Sequence, residues 1–327
     1  IALGIGVLGQ QAKDEGWALT KKAQKITDQK QKDDLTAKAE IAYRKPVEEM
    51  ACVYQNDPSA ELTRLMDIEI VKTNVNVVDL YRRVERLEEA RELGENTINS
   101  AISLQNQPLI NRALNFFGLV QAAEAYHHID NGELEEALAS YRERAETIAR
   151  ADYSDEKGHP VVMHYSNEAA NYLDIIQLSL DLGKPMAELE IEIIKAENSC
   201  DLAQPHLDDL DEDEQIPWSA NLSYNYGLIN LFRGNIDLAV INYEAALEIS
   251  QKNPENELPI AFFGLNVAHA LCQQDCANLK EYNAHVREAS ELFKPVEAYL
   301  AAGNNFGVYE GRAEVLLTEI RAKLQLS

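Results

Sequence analysis

Three glycines, Gly132, Gly183 and Gly234, recur at a fixed spacing of 51 residues. Two of them open closely similar segments. One reads Asn131-Gly132-Glu133-Leu134-Glu135-Glu136-Ala137-Leu138-Ala139-Ser140-Tyr141, the other Arg233-Gly234-Asn235-Ile236-Asp237-Leu238-Ala239-Val240-Ile241-Asn242-Tyr243. In both, Gly is followed by an apolar residue at +2, Ala at +5, an apolar residue at +6 and Tyr at +9. A weaker copy follows Gly183 as Lys184-Pro185-Met186-Ala187-Glu188-Leu189. Internal periodicity in this range marks a helical solenoid, in which one helix pair cannot bury its own apolar face and pairs must stack. The Gly ends one helix and reverses the chain. The small Ala lets the next helix lie close, and the Tyr fills the space between this pair and the next. The fold class expected is therefore all-α, an α-solenoid of stacked antiparallel helix pairs.

The remaining chain agrees with that class. Only 15 Gly and 10 Pro occur in 327 residues, and scarce breakers favour long helices. Residues 12–45 read as a helix rich in Ala, Lys and Gln that Pro46 interrupts. Gln55-Asn56-Asp57-Pro58-Ser59 reads as a turn, with Ser59 as the N-cap of the next helix. Leu80, Val84 and Leu87 then recur at helical spacing, and Gly94 is expected as a C-cap. Longer links are expected over 153–160 and 206–217, and a last helix runs to Leu326. These signals divide the chain into an N-terminal helical segment, 1–58, and a repeat-bearing body, 59–327.

Residues 220–254 resemble a tetratricopeptide repeat. The resemblance rests on Tyr224, Asn225 and Gly227 in the first helix and Gly234 at the turn. It continues through Asp237, Ala239, Tyr243, Ala246, Leu247 and Ile249 in the second helix, with Pro254 near its end. Residues 118–150 match through Gly132, Ala137 and Tyr141, with Ala125 in place of the first-helix Gly. Residues 169–200 are degenerate, and 261–293 read as a further pair with Gln274-Asp275 at its turn. The resemblance covers about 60% of the chain. The family's unit is about 34 residues, so the longer spacing here implies longer helices or loops, as in repeat domains of bacterial signalling regulators. Its motifs specify fold.

Charge narrows the function. The chain has 30 Lys+Arg and 55 Asp+Glu, a formal net charge of −25. Phosphate neutralisation needs a basic surface, so general nucleic-acid binding is not expected. Residues 1–45 are the exception, with nine basic and six acidic side chains. The apolar opening Ile1–Gly9, flanked by Lys13, Lys21, Lys22 and Lys25, reads three ways: the end of a truncated signal or transmembrane segment, a trimmed domain boundary, or a packed segment. Membrane association is expected only through it, and the body is expected to be cytoplasmic or a tethered soluble domain. The four cysteines, Cys52, Cys200, Cys272 and Cys276, are too few for a disulfide scaffold and fit a reducing compartment.

No catalytic constellation emerges. HExxH, GxSxG, GxxxxGK[ST] and Cys/His zinc spacings are all missing, so neither an enzyme, a cofactor nor a metal is expected. The six carboxylates of Asp208–Glu214 lack the Gly that a calcium loop needs and read as a solvated linker. What stands out is Asn. Asn167 and Asn171 lie at i,i+4, as do Asn221 and Asn225, with Asn266 on a later first helix. The resemblance implies that first helices line a concave face and that Asn225 matches a position whose amide contacts peptide backbone. An amide both donates and accepts, which suits an extended peptide. The expected partner-binding residues are Asn167, Asn171, Asn221, Tyr224, Asn225, Leu228 and Phe232. The function expected is a non-catalytic protein- or peptide-binding scaffold whose partner is basic or amphipathic. The alternatives are a regulatory or sensor domain of a larger signalling or membrane-associated protein that binds a small effector or peptide, and a structural subunit of an assembly.

Overall fold

The computed structural model describes residues 2–54, 59–253, 257–274, 279–302, 304 and 310–325. The side chains of 2–9, 53–54, 279–282, 310–312 and 325 are not among those described. All of it is helix and connection, with no strand among the described residues. The expectations at Pro58, Pro254, Asp275, Cys276 and Leu326 lie outside them. The chain divides into two compact units, Ile1–Glu156 and Lys157–Ser327.

The first unit holds α1 (Ala2–Gln24), α2 (Gln29–Tyr54), α3 (Ala60–Arg83), α4 (Leu87–Ser103), α5 (Gln107–Asp130) and α6 (Leu134–Ile148). They pack as three hairpins, α1 on α2, α3 on α4 and α5 on α6. α2 then meets α3, and α4 meets α5. The N-terminal segment is part of this unit: Ala23, Ala39 and Tyr43 share a buried cluster with Val77, Leu80 and Val84 of α3 and its end. The helix expected over 12–45 is two helices. Its break falls at 25–28, where the Asp28 carboxylate accepts the N–H of Gln31 and caps α2. Pro46 does not end α2; it sits buried inside it. Ser59 does cap α3, its hydroxyl accepting the Leu62 N–H at 3.1 Å.

Gly94 is not a C-cap. It lies buried within α4, where an added Cβ would stand 2.5 Å from the Phe117 ring of α5. The missing side chain sets how closely α4 approaches α5. Gly16 faces Tyr43 across α1 and α2 at the same 2.5 Å.

The second unit holds α7 (His159–Asp181), α8 (Glu190–Ala203), α9 (Glu212–Phe232), α10 (Ile236–Gln251), α11 (Glu257–Gln273), α12 (Leu279–Ala301) and α13 (Glu310–Gln325). α7 packs on α8, α9 on α10 and α11 on α12; α7 also meets α9, α10 meets α11, and α13 covers α11. The expected close packing is here. Gly227 of α9 lies against Tyr243 of α10, so this Tyr meets its own hairpin partner, where the sequence places it between pairs; it is fully buried together with Ala239 and Ala246. The acidic stretch 208–214 is not a free linker. Residues 204–209 form a 3-10 turn, and Glu212, Asp213 and Glu214 occupy the first turn of α9, where carboxylates oppose the positive end of the helix dipole.

The three periodic glycines make the same turn. Their φ values are 76°, 79° and 75°. After each, a backbone N–H reaches back five residues, from Glu133 to the His128 carbonyl, Lys184 to Ser179 and Asn235 to Asn230, at 2.8–2.9 Å. This is the helix-ending geometry that a left-handed residue permits. An added Cβ would meet nothing within 4 Å at any of the three, so backbone conformation alone calls for Gly. The α3–α4 turn repeats the geometry, with Arg86 donating to Tyr81 at 2.9 Å, but its left-handed residue is Glu85, at φ 66°.

Two predictions follow from these placements. Gly132→Ala, Gly183→Ala and Gly234→Ala are each expected to lower stability by about 1 kcal/mol in urea unfolding, whereas Glu85→Gly is expected to raise it by roughly 0.5 kcal/mol; no loss at the glycines would show that the turns relax out of the left-handed region. The second concerns His164, buried in α7, whose imidazole is pulled down to about 4 by desolvation. Below its ordinary 6.5 the unfolded chain takes up a proton that the buried ring refuses, so stability is lost as pH falls from 6.5 toward 4. Relative to His164→Gln, the native protein is expected to lose about 2 kcal/mol between about pH 7.5 and about pH 5. A constant difference would place a charged or exposed imidazole there.

Candidate interaction surfaces

The seven expected binding residues separate into two groups. Asn171, Tyr224, Asn225, Leu228 and Phe232 are buried, at 0%, 8%, 4%, 2% and 8% exposure. Asn225 donates from Nδ2 to the Ser166 carbonyl of α7 at 3.5 Å, an inter-helix bond within the stack. The Tyr224 ring lies 5.8 Å from Tyr243, 5.3 Å from Phe262 and 5.4 Å from Phe263. Side chains of α10 and α11 therefore occupy the space beside Tyr224. Asn266 is turned inward as well and donates to its own helix at Phe262. Asn167 and Asn221 are half-buried and remain in reach of solvent.

An equivalent amide in the first unit went unread in the sequence. Asn111 and Asn115 repeat the i,i+4 spacing on α5, and that spacing was the available signal. Asn111 Nδ2 donates to the Asp152 carbonyl and to Glu156 Oε1, and its Oδ1 accepts the Asp152 N–H at 2.9 Å. It fastens the segment that follows α6.

Arginines neutralise the carboxylates where helices meet. Arg91 of α4 donates to both oxygens of Glu124 on α5 at 2.8 and 2.7 Å, and to both of Glu143 on α6 at 3.0 and 2.9 Å. These bonds raise its pKa and hold Glu143 below the usual carboxylate range. Arg233 makes the same forked contact with Glu197 of α8, at 2.7 Å on each arm, and lowers that carboxyl. Between α7 and α8, burial raises Glu168 although the Ser199 hydroxyl donates to it at 2.9 Å. Cys200 is buried, and desolvation pushes its thiol up to about 12, so it is no nucleophile at neutral pH.

Apolar exposure is concentrated on second helices of the second unit. Ile191, Ile194 and Leu202 on α8 are 65%, 44% and 51% exposed, and Leu238 and Ile241 on α10 are 50% and 59% exposed. A cavity of about 270 Å³ between α11 and α13 is lined by His269, Cys272, Gln273, Glu319, Ala322 and Lys323. His269 Nε2 lies 2.6 Å from Glu319 there. Burial raises the Cys272 thiol, and Lys323 opposes that shift. Among the described residues no group of three His, Cys, Asp or Glu side chains is disposed to hold a metal ion. No helix among them is long and apolar enough to cross a membrane.

No family model matches the chain, and no curated protein matches it. Among solved structures, the crystal structure of BtubC (BKLC) from P. vanneervenii aligns at 14% identity and a TM-score of 0.46, over 81% of this chain and 93% of its own. A computationally designed self-assembling cyclic homo-oligomer aligns at 13% identity and a TM-score of 0.23, over 99% of this chain and 94% of its own.

Proposed function

We propose that the chain is a tetratricopeptide-like scaffold that binds protein segments and carries out no catalysis itself. The observation that carries this reading is the set of large apolar side chains left in solvent on two second helices, Ile191, Ile194 and Leu202 on α8 and Leu238 and Ile241 on α10. Contiguous exposed apolar surface rimmed by polar residues marks interaction sites. The repeated left-handed turns and the Gly227–Tyr243 approach support the tetratricopeptide-like part. Because five of the seven expected binding residues serve the packing, a groove role rests on Asn167 and Asn221.

The cavity between α11 and α13 favours a second reading, a sensor domain that takes a small, mostly apolar effector. Thermal-shift screening separates the two. An effector in that cavity stabilises the native chain and loses its effect in Ala322→Trp; a ligand that stabilises both equally sinks the sensor reading.

For the scaffold reading, the wild-type chain is expected to retain a defined partner from an extract of its source cell, identified by mass spectrometry. Asn167→Ala/Asn221→Ala and Ile191→Asp/Ile194→Asp are expected to keep the native melting curve, because none of these side chains is buried. Weaker retention by one of them, by about tenfold, locates the surface. A wild-type chain that retains nothing beyond a scrambled control overturns the reading.

A further inference from the structure

We infer that the outer face of α10 docks a basic amphipathic helix. The inference deepens the scaffold reading and rests on it. Burial defines the two sides of α10. Ala239, Val240, Tyr243, Ala246, Leu247 and Ser250 are buried. At 100° per residue, Leu238, Ile241, Ala245 and Ile249 form a row on the opposite side. Leu238 and Ile241 are more than half or half exposed, and Ala245 and Ile249 are partly so. The row runs for about 16 Å, three turns of helix.

One flank of that row is acidic throughout. Asp237, Glu244 and Glu248 follow one another at i, i+7 and i+11 and are all exposed. α10 contains no Lys or Arg. Asp237 accepts a hydrogen bond from the Gln274 amide at 2.9 Å, and none of the three makes an ion pair among the described residues. Glu244 also feels the charge of Glu288 of α12, and its carboxyl is raised first by partial desolvation and then by that like charge. Between α5 and α6, by contrast, Glu124 and Glu143 have Arg91 between them. Here the cation is not supplied by the described part of the chain.

This combination selects the occupant. An apolar row accepts the apolar face of a helix with anchors at i, i+3 or i+4, and i+7. A one-sided carboxylate flank requires Lys or Arg along the matching side of that helix. A second copy of this chain would bring another body of net charge −25 against the same flank.

The test is titration calorimetry of the full chain with a helical peptide of about 16 residues, built of Leu, Ala and Lys, with leucines on one stripe and lysines along one flank. Binding is expected to weaken about tenfold in Leu238→Asp/Ile241→Asp and in Glu244→Lys/Glu248→Lys. The charge-reversed variant is expected to take the peptide with Glu in place of Lys instead. Ile191→Asp/Ile194→Asp on α8 is expected to bind as the wild type does. All three variants carry changes at exposed positions, and unchanged circular dichroism verifies their fold. The proposal is overturned by wild-type binding in the α10 variants, by equal weakening in the α8 variant, or by light scattering that finds a native dimer made monomeric by Leu238→Asp/Ile241→Asp. If extract capture yields a partner that the α10 variants also retain in full, this proposal fails and the scaffold reading stands. If capture yields none, the scaffold reading fails whatever the peptide does.

Discussion

A helix can lie back along its predecessor only if the chain reverses within a few residues, and at the α3–α4, α5–α6, α7–α8 and α9–α10 turns one left-handed residue makes that reversal. At 132, 183 and 234 the residue is glycine, and the same five-residue backbone bond closes each turn. Everything else in a hairpin depends on this placement. It fixes which residues of the second helix face the first, and so which face outward. The close contacts come next: Gly227 under Tyr243, Gly16 under Tyr43 and Gly94 under Phe117 let backbones approach where any Cβ would collide. Arg91 and Arg233 then tie one hairpin to the next at points where like charges would otherwise meet.

Much of this was legible in the sequence, and the limits have physical reasons. The turn glycines, Ala239, Tyr243 and Ala246 could be read because a strained φ or a close approach admits few residue types. The α3–α4 turn could not, because Glu85 adopts the same conformation with an ordinary side chain exposed to water. Pro46 and Pro217 were misleading punctuation: each lies within a helix, and tertiary packing outweighs the single backbone bond lost there. Gly94 carried two meanings, helix end or close contact, and only the position of Phe117 decides between them.

The candidate site was less legible than the fold. An asparagine offers the same donors and acceptors to a peptide and to a neighbouring helix, so its type cannot say which it meets. Asn225 meets the Ser166 carbonyl and Tyr224 meets two phenylalanines because α7 brings backbone and α11 brings side chains into the space that a ligand would need. The outward row on α10 was present in the repeat itself, as Leu238 and Ile241 beside Ala239 and Val240. Two adjacent apolar pairs do not reveal which member is inward until the hairpin partner is placed.

α11 raises a matter of timing during synthesis. From Ala261 to Leu271 every residue of this helix is buried, so it has no polar side to present to water. Part of its cover is α13, which lies beyond α12 in the chain and so leaves the ribosome later. Through that interval a run containing Phe262, Phe263, Leu265, Val267 and Leu271 has an incomplete enclosure. The nascent chain therefore passes through a stage attractive to chaperones and to other nascent chains, and the arrival of α13 ends it.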